Sequence, residues 1–163
     1  MNDKVRARFN AQLYAPEEMC SYKDTADFFW GTDHGTRGRI DMVVYSFPYV
    51  SGRTFTLDYL VAMRDSVLGE HIQGAFPGSY MTTEKRFTPS YEAISKNGEY
   101  CGVVRGLWEM EGDMMGGPFV SHAHLDEKNQ RVVVTETFVY APNTKKAKLL
   151  RRGEASLYTF CMD

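Results

Sequence analysis

The sequence predicts an α+β fold: one mainly antiparallel sheet covered by helices, an α/β/α-like sandwich. Three observations predict it. Strand-like stretches are joined by turns too short for a crossover, at Lys96-Asn97-Gly98 and Asp126-Glu127-Lys128-Asn129-Gln130, so their neighbours must run antiparallel. Ile40 to Tyr49 is apolar on both faces, the pattern of a central strand covered on two sides. Helical patterns stand apart from the strands, at Thr56 to Glu70 and Thr144 to Phe160, and have to supply that cover.

The elements follow in order. Val5, Phe9 and Leu13 recur at near-helical spacing, and Pro16 closes that segment. Ala26 to Trp30 is an aromatic run suited to a strand, and Thr32 to Gly38 is a loop with two glycines. In the next strand Ile40, Met42 and Val44 share one face, while Val43, Tyr45, Phe47 and Tyr49 share the other. Thr56 is an N-cap for the helix to Glu70, with Asp58 placing negative charge in its first turn. Leu57, Leu60, Val61, Met63, Val67 and Leu68 form its apolar arc. Strands are expected at Tyr80 to Lys85, Tyr91 to Ser95 and Glu99 to Glu109, the last two joined by an Asn-Gly turn. Gly112 to Pro118 reads as a glycine-rich link. Phe119 to Leu125 and Arg131 to Tyr140 form a further hairpin. Leu149, Leu150, Gly153, Leu157 and Phe160 make the inward arc of the last helix, where glycine permits close approach to the sheet.

The chain has 163 residues, 43% hydrophobic and 25% charged, the size and balance of one globular domain. A formal charge of −2 removes the long-range attraction of a general polyanion binder. No run of about 18 apolar residues is present, and no basic–apolar–small leader opens the chain. A start inside a helical pattern makes a single domain from a longer precursor the expectation. Cys20, Cys101 and Cys161 lack Cys-x-x-Cys spacing and are expected as three buried, inert thiols, with one bridge and a spare thiol as the alternative.

Several constellations carry potential chemistry. His122 and His124 share a strand face, and Asp126 comes next on it. Two imidazoles are half of a structural zinc set, so no metal and no cofactor is expected. A hydrolase or metal-dependent enzyme using His122, His124 and nearby carboxylates is the alternative. Glu109, Glu111 and Asp113 are acids near one strand end, with no nucleophile elbow to accompany them. The glycine-rich link lacks the Lys-Ser/Thr ending of a phosphate loop. Its Met114 and Met115 are instead adaptable contact residues. With Trp108, Asp113 and Phe119 they define a candidate binding surface. Lys145, Lys146, Lys148, Arg151 and Arg152 cluster on the last helix without interleaved aromatics, unlike a single-strand nucleic-acid platform. Arg64 falls in the middle of an apolar arc and needs a carboxylate, either Glu154 or Glu136.

Three stretches together carry a resemblance. They are Phe28-Phe29-Trp30 with Tyr45-Ser46-Phe47-Pro48-Tyr49, Arg105-Gly106-Leu107-Trp108 with Gly112 to His122, and Glu154 to Thr159. Through them the chain resembles the C-terminal half of a family of uncharacterised Bacteroidetes lipoproteins, a domain of unknown function. The resemblance implies a lipid-anchored parent protein in the cell envelope, and it assigns no catalytic residue. The final hairpin, the Ala141-Pro142 break and the last helix also look like the Mog1/PsbP-type sandwich, whose members are mostly binding or assembly factors. The expected function is a non-catalytic binding or assembly module. Its partner is a protein, peptide or lipid and no nucleic acid, and it meets the membrane only through the parent's lipid anchor.

Overall fold

The computed structural model describes residues 1–163, with the side chains of all but Ser21. Helix α1 (Asn2–Phe9) leads to β1 (Ala11–Gln12), β2 (Cys20–Asp24), β3 (Phe28–Thr32) and β4 (Arg39–Pro48). A 3-10 turn (Gly52–Phe55) precedes α2 (Leu57–His71). Then come β5 (Tyr80–Thr83), β6 (Ser90–Lys96), β7 (Glu99–Glu111), β8 (Gly116–Asp126), β9 (Arg131–Tyr140), α3 (Ala147–Leu157) and β10 (Cys161–Met162). The main sheet has eight strands in the order β2-β3-β4-β9-β8-β7-β5, with β6 also on β7, and its pairings are antiparallel. The fold is therefore α+β, as the short turns dictate.

The centre of the sheet is the β4–β9 pair, in unbroken register from Arg39 opposite Tyr140 to Pro48 opposite Arg131. Its two-faced apolarity is satisfied by two cores. On one face α2 lays Leu60 and Leu68 against Val43, Tyr45, Phe47, Phe119, Val134 and Phe138. On the other, Val5 and Phe9 of α1 and Leu157 of α3 meet Ile40, Met42, Val44, Val120 and Val133. The side chain of Thr56 caps α2, accepting a hydrogen bond from the Tyr59 amide at 3.4 Å. Helix α3 comes so close to β9 that a Cβ on Gly153 would stand 2.1 Å from Thr137 Oγ1. No helix among the described residues is long and apolar enough to cross a membrane.

Four expectations are corrected. The first helix stops at Asn10, whose left-handed backbone (φ 53°) turns the chain, so Leu13 is buried beyond the helix rather than on it. The last helix spans Ala147–Leu157 rather than Thr144 to Phe160, and the chain beyond Phe160 forms β10, paired with β1. Cys20 and Cys161, expected as buried thiols, are exposed, Cys20 on the edge strand β2, which carries no alternating apolar pattern, and Cys161 on β10. Gly112 to Pro118 is no loose link. Strands β7 and β8 run nearly to its centre, with Gly112 in the left-handed region (φ 81°) at the turn. Glycine is required at 117 by contact: a Cβ there would lie 2.0 Å from the carbonyl oxygen of Val139.

Candidate functional site

The β7–β8 hairpin carries Met114 and Met115 to the end of the sheet where β5 begins opposite Glu111, beside the loop that joins β5 to β6. Met114 is completely exposed and Phe87, from that loop, is 62% exposed. Both line an open groove of about 500 Å³ shared with Met115, Glu84, Arg86 and Lys146. The carboxyl of Asp113 accepts a hydrogen bond from the Met114 amide at 2.7 Å, which fixes the tip. Trp108 and Phe119, expected on this surface, are both 1% exposed. The strand alternation that exposes the tip turns these two rings inward. Trp108 donates from Nε1 to the carbonyl of Val139 at 3.1 Å, and Phe119 belongs to the core beneath α2.

The acids sort themselves differently from their sequence clustering. Glu109 shares a hydrogen bond with Glu84, and Glu111 reaches it only through its charge. Arg86 holds the Glu84 carboxyl well below the usual range. Burial, followed by the Glu84 carboxyl, raises that of Glu109. Of the basic cluster on and just before α3, Arg152 is paired with Glu18 at 2.6 Å, and Lys146 faces the groove.

At the opposite end of the β7–β8 ladder lies a second cluster. His122 and His124 point to the α3 side, beside the rings of Tyr158 and Phe160 respectively. Spacing alone supplies two imidazoles; the strand register adds Cys101, directly opposite His124. The thiol sulfur lies 3.9 Å from His124 Nε2, and one ligand atom from each of the three residues falls within 4.8 Å of the others. All three are buried, at 0%, 0% and 4% exposure for Cys101, His122 and His124. Burial pushes the imidazole of His122 down to about 4 and that of His124 to about 3, with the Lys96 charge adding to both. It pushes the Cys101 thiol up to about 11. Neither ring nitrogen of His122 has a hydrogen-bond partner among the described residues. Asp126, expected on this face, instead binds Arg131 and Asn129, each at 2.8 Å. A hairpin centred on Gly112 and Asp113 pairs residues equidistant from its turn, and that symmetry is the sequence signal for the Cys101–His124 contact.

Arg64 is held by Glu136 on β9, with Glu136 Oε1 2.7 Å from Nη2 and Oε2 2.9 Å from Nε. Glu154, the other expected partner, lies on α3 across the sheet and pairs with Arg105. Helices α2 and α3 cover opposite faces, so their side chains have no shared core in which to meet.

Comparison with known proteins supports the architecture. Protein Mog1, in a single-substitution form, superposes with a TM-score of 0.52 at 8% identity, over 94% of this chain and 90% of that one. The Ran-binding protein Mog1p of Saccharomyces cerevisiae superposes with the same TM-score at 9% identity and the same coverage. At such identities the likeness concerns the fold alone. No curated protein matches the sequence. Residues 1–159 match the family model described as a domain of unknown function, DUF4837, and the chain belongs to that family.

Proposed function

We propose that this domain is a non-catalytic binding module of a cell-envelope lipoprotein, and that it takes hold of a protein partner at the methionine hairpin. The observation that carries the reading is Met114, wholly in water at the tip of the hairpin, while Met115 beside it is half-buried against the core. Exposing an unbranched thioether beside an exposed Phe87 costs solvation and gives nothing to the fold. Both residues line one groove, with charges of both signs at Glu84, Arg86 and Lys146. An adaptable apolar contact with a charged border suits a protein surface. Mog1p, a Ran-binding protein of similar architecture, is consistent with this use of the fold. Envelope placement rests on the resemblance to exported lipoproteins.

The test is site-specific photocrosslinking in the native envelope with the full-length parent. A benzophenone side chain at 114 should give one discrete protein adduct, lost in Phe87→Asp. The same probe at Val50, exposed at the other end of the sheet, should not give it. Identical adducts at both positions, or none at 114, would overturn the reading.

A further inference from the structure

Two imidazoles and a thiol, all buried and brought together in one place, form an unusual group to leave idle. His122 is fully buried and neither nitrogen has a partner among the described residues, although an unpaired buried polar group costs about 1–3 kcal/mol. A structural histidine would ordinarily donate one ring N–H to a carbonyl or carboxylate. This ring instead stands with one nitrogen in the same small space as Cys101 Sγ and a nitrogen of His124.

The geometry points to a copper(I) site formed by Cys101, His122 and His124, with the thiolate and two imidazoles as its three ligands. With metal–sulfur near 2.3 Å and metal–nitrogen near 2.0–2.1 Å, a trigonal ion sets sulfur and nitrogen about 3.8 Å apart. The Cys101–His124 separation of 3.9 Å already has that value. The 4.8 Å limit on the whole set leaves a closure of about an ångström for side-chain torsions.

Three features select the monovalent ion. Thiolate and imidazole are the soft and borderline donors that suit copper. Three protein ligands satisfy copper(I), whereas a structural zinc ion takes four. Charge decides the matter further. One thiolate neutralises Cu⁺ completely but leaves Zn²⁺ with a net positive charge in a buried pocket, and buried uncompensated charge is costly. A cation is present already: Lys96 donates to the carbonyls of Leu157 and Phe160 at 2.9 and 2.7 Å, and its charge bears on all three ligand residues. Glu154, whose charge also reaches His122, is occupied by Arg105. On loading, the Cys101 thiol releases its proton to solvent, and the ion keeps its oxidation state.

A route in is visible. A pocket of about 180 Å³ reaches His124 from the surface between Lys96, Asn97, Glu99 and the tail of the chain. Cys161 and Met162 line that pocket, a thiol and a thioether ahead of the buried ligands.

The experiment is anaerobic titration of the metal-free full chain with copper(I), supplied as its acetonitrile complex against a chromogenic copper(I) chelator. One copper per chain is expected, with an X-ray absorption edge fitted by one sulfur and two nitrogens. Cys20→Ser/Cys161→Ser should keep that site, because neither thiol belongs to it. His122→Leu, which replaces an unpartnered ring with an apolar group, should stay folded and weaken copper at least 100-fold. Cys101→Ser should do the same, with circular dichroism checking its fold. Copper held equally by His122→Leu, copper lost with the two surface thiols, or a stoichiometric zinc site without a copper one would each overturn the proposal.

Discussion

Arg64 of α2 and Glu136 of β9 are locked together inside the sandwich, guanidinium to carboxylate at 2.7 and 2.9 Å, with the Phe119 ring 3.8 Å beneath the guanidinium carbon. Thr83 Oγ1 accepts from a further guanidinium nitrogen at 3.0 Å. Burial raises the Glu136 carboxyl, and Arg64 opposes that shift. The pair ties the helix layer to the centre of the sheet at one register.

Arg64→Leu should cost about 3–5 kcal/mol, because it strands a carboxylate in the core. Arg64→Leu/Glu136→Leu should recover most of that loss, since an apolar pair of similar volume needs no desolvation. Urea denaturation of the three proteins measures it. An unchanged midpoint in the single variant would mean that water reaches Glu136.

Gly153→Ala should also destabilise, against helix propensity. Alanine favours an isolated helix by about 1 kcal/mol. Here its Cβ would lie 2.1 Å from Thr137 Oγ1 and 2.9 Å from Thr137 Cβ, so α3 must lift from the sheet. Overpacking of this kind costs about 1–3 kcal/mol. Thr137→Ala in the same chain should return part of it, read as a rise in the thermal midpoint.

The inner layers were legible because their patterns are redundant. Both-face apolarity in β4, the Asn97-Gly98 turn and the capped arc of α2 each specify one answer, and tertiary packing agrees with all three. Edge elements lack that redundancy: β2 has one neighbour and no alternating pattern to betray it. Sites fared differently. Trp108 and Phe119 read as exposed because they flank the methionines in sequence, whereas strand alternation sends them into the core. Cys101 and His124, 23 apart in sequence, meet only through the register of β7 on β8, which the symmetry of the hairpin about Gly112 and Asp113 encodes and no local pattern does. Glu136 rather than Glu154 holds Arg64 because a sheet separates α2 from α3, a fact of layer order that no local pattern contains.

The buried histidines make the metal-free protein acid-sensitive. An unfolded imidazole titrates near 6.5, whereas His122 and His124 are depressed to about 4 and about 3. Below pH 6.5 the unfolded chain therefore binds protons that the folded chain refuses, and stability falls with pH. Each pKa unit is worth about 1.4 kcal/mol, so moving from pH 7.5 to pH 5 should remove about 2 kcal/mol per histidine. The contribution is fully present above the unfolded value and declines as pH falls through it. Denaturation at both pH values, repeated with His122→Leu/His124→Phe, gives the measurement. A wild-type slope no steeper than that of the double variant would refute the burial of neutral rings.

The β7–β8 hairpin should separate into a tip that the fold ignores and a base that it needs. Met114 touches water on every side, so Met114→Asp should leave stability within about 0.5 kcal/mol while abolishing capture of a protein partner. Three residues along, the backbone of Gly117 lies against β9, and a Cβ would come within 2.0 Å of the Val139 carbonyl oxygen and 3.1 Å of Trp108 Nε1. That carbonyl is the acceptor for the same indole at 3.1 Å. Gly117→Ala therefore pushes apart two strands and a buried hydrogen bond at once, at a cost of about 3 kcal/mol. Thermal melts of the two variants should differ by many degrees, with Met114→Asp matching the wild type. If both melt alike, the glycines serve the motion of the tip rather than the packing of its base, and the division between contact surface and scaffold falls.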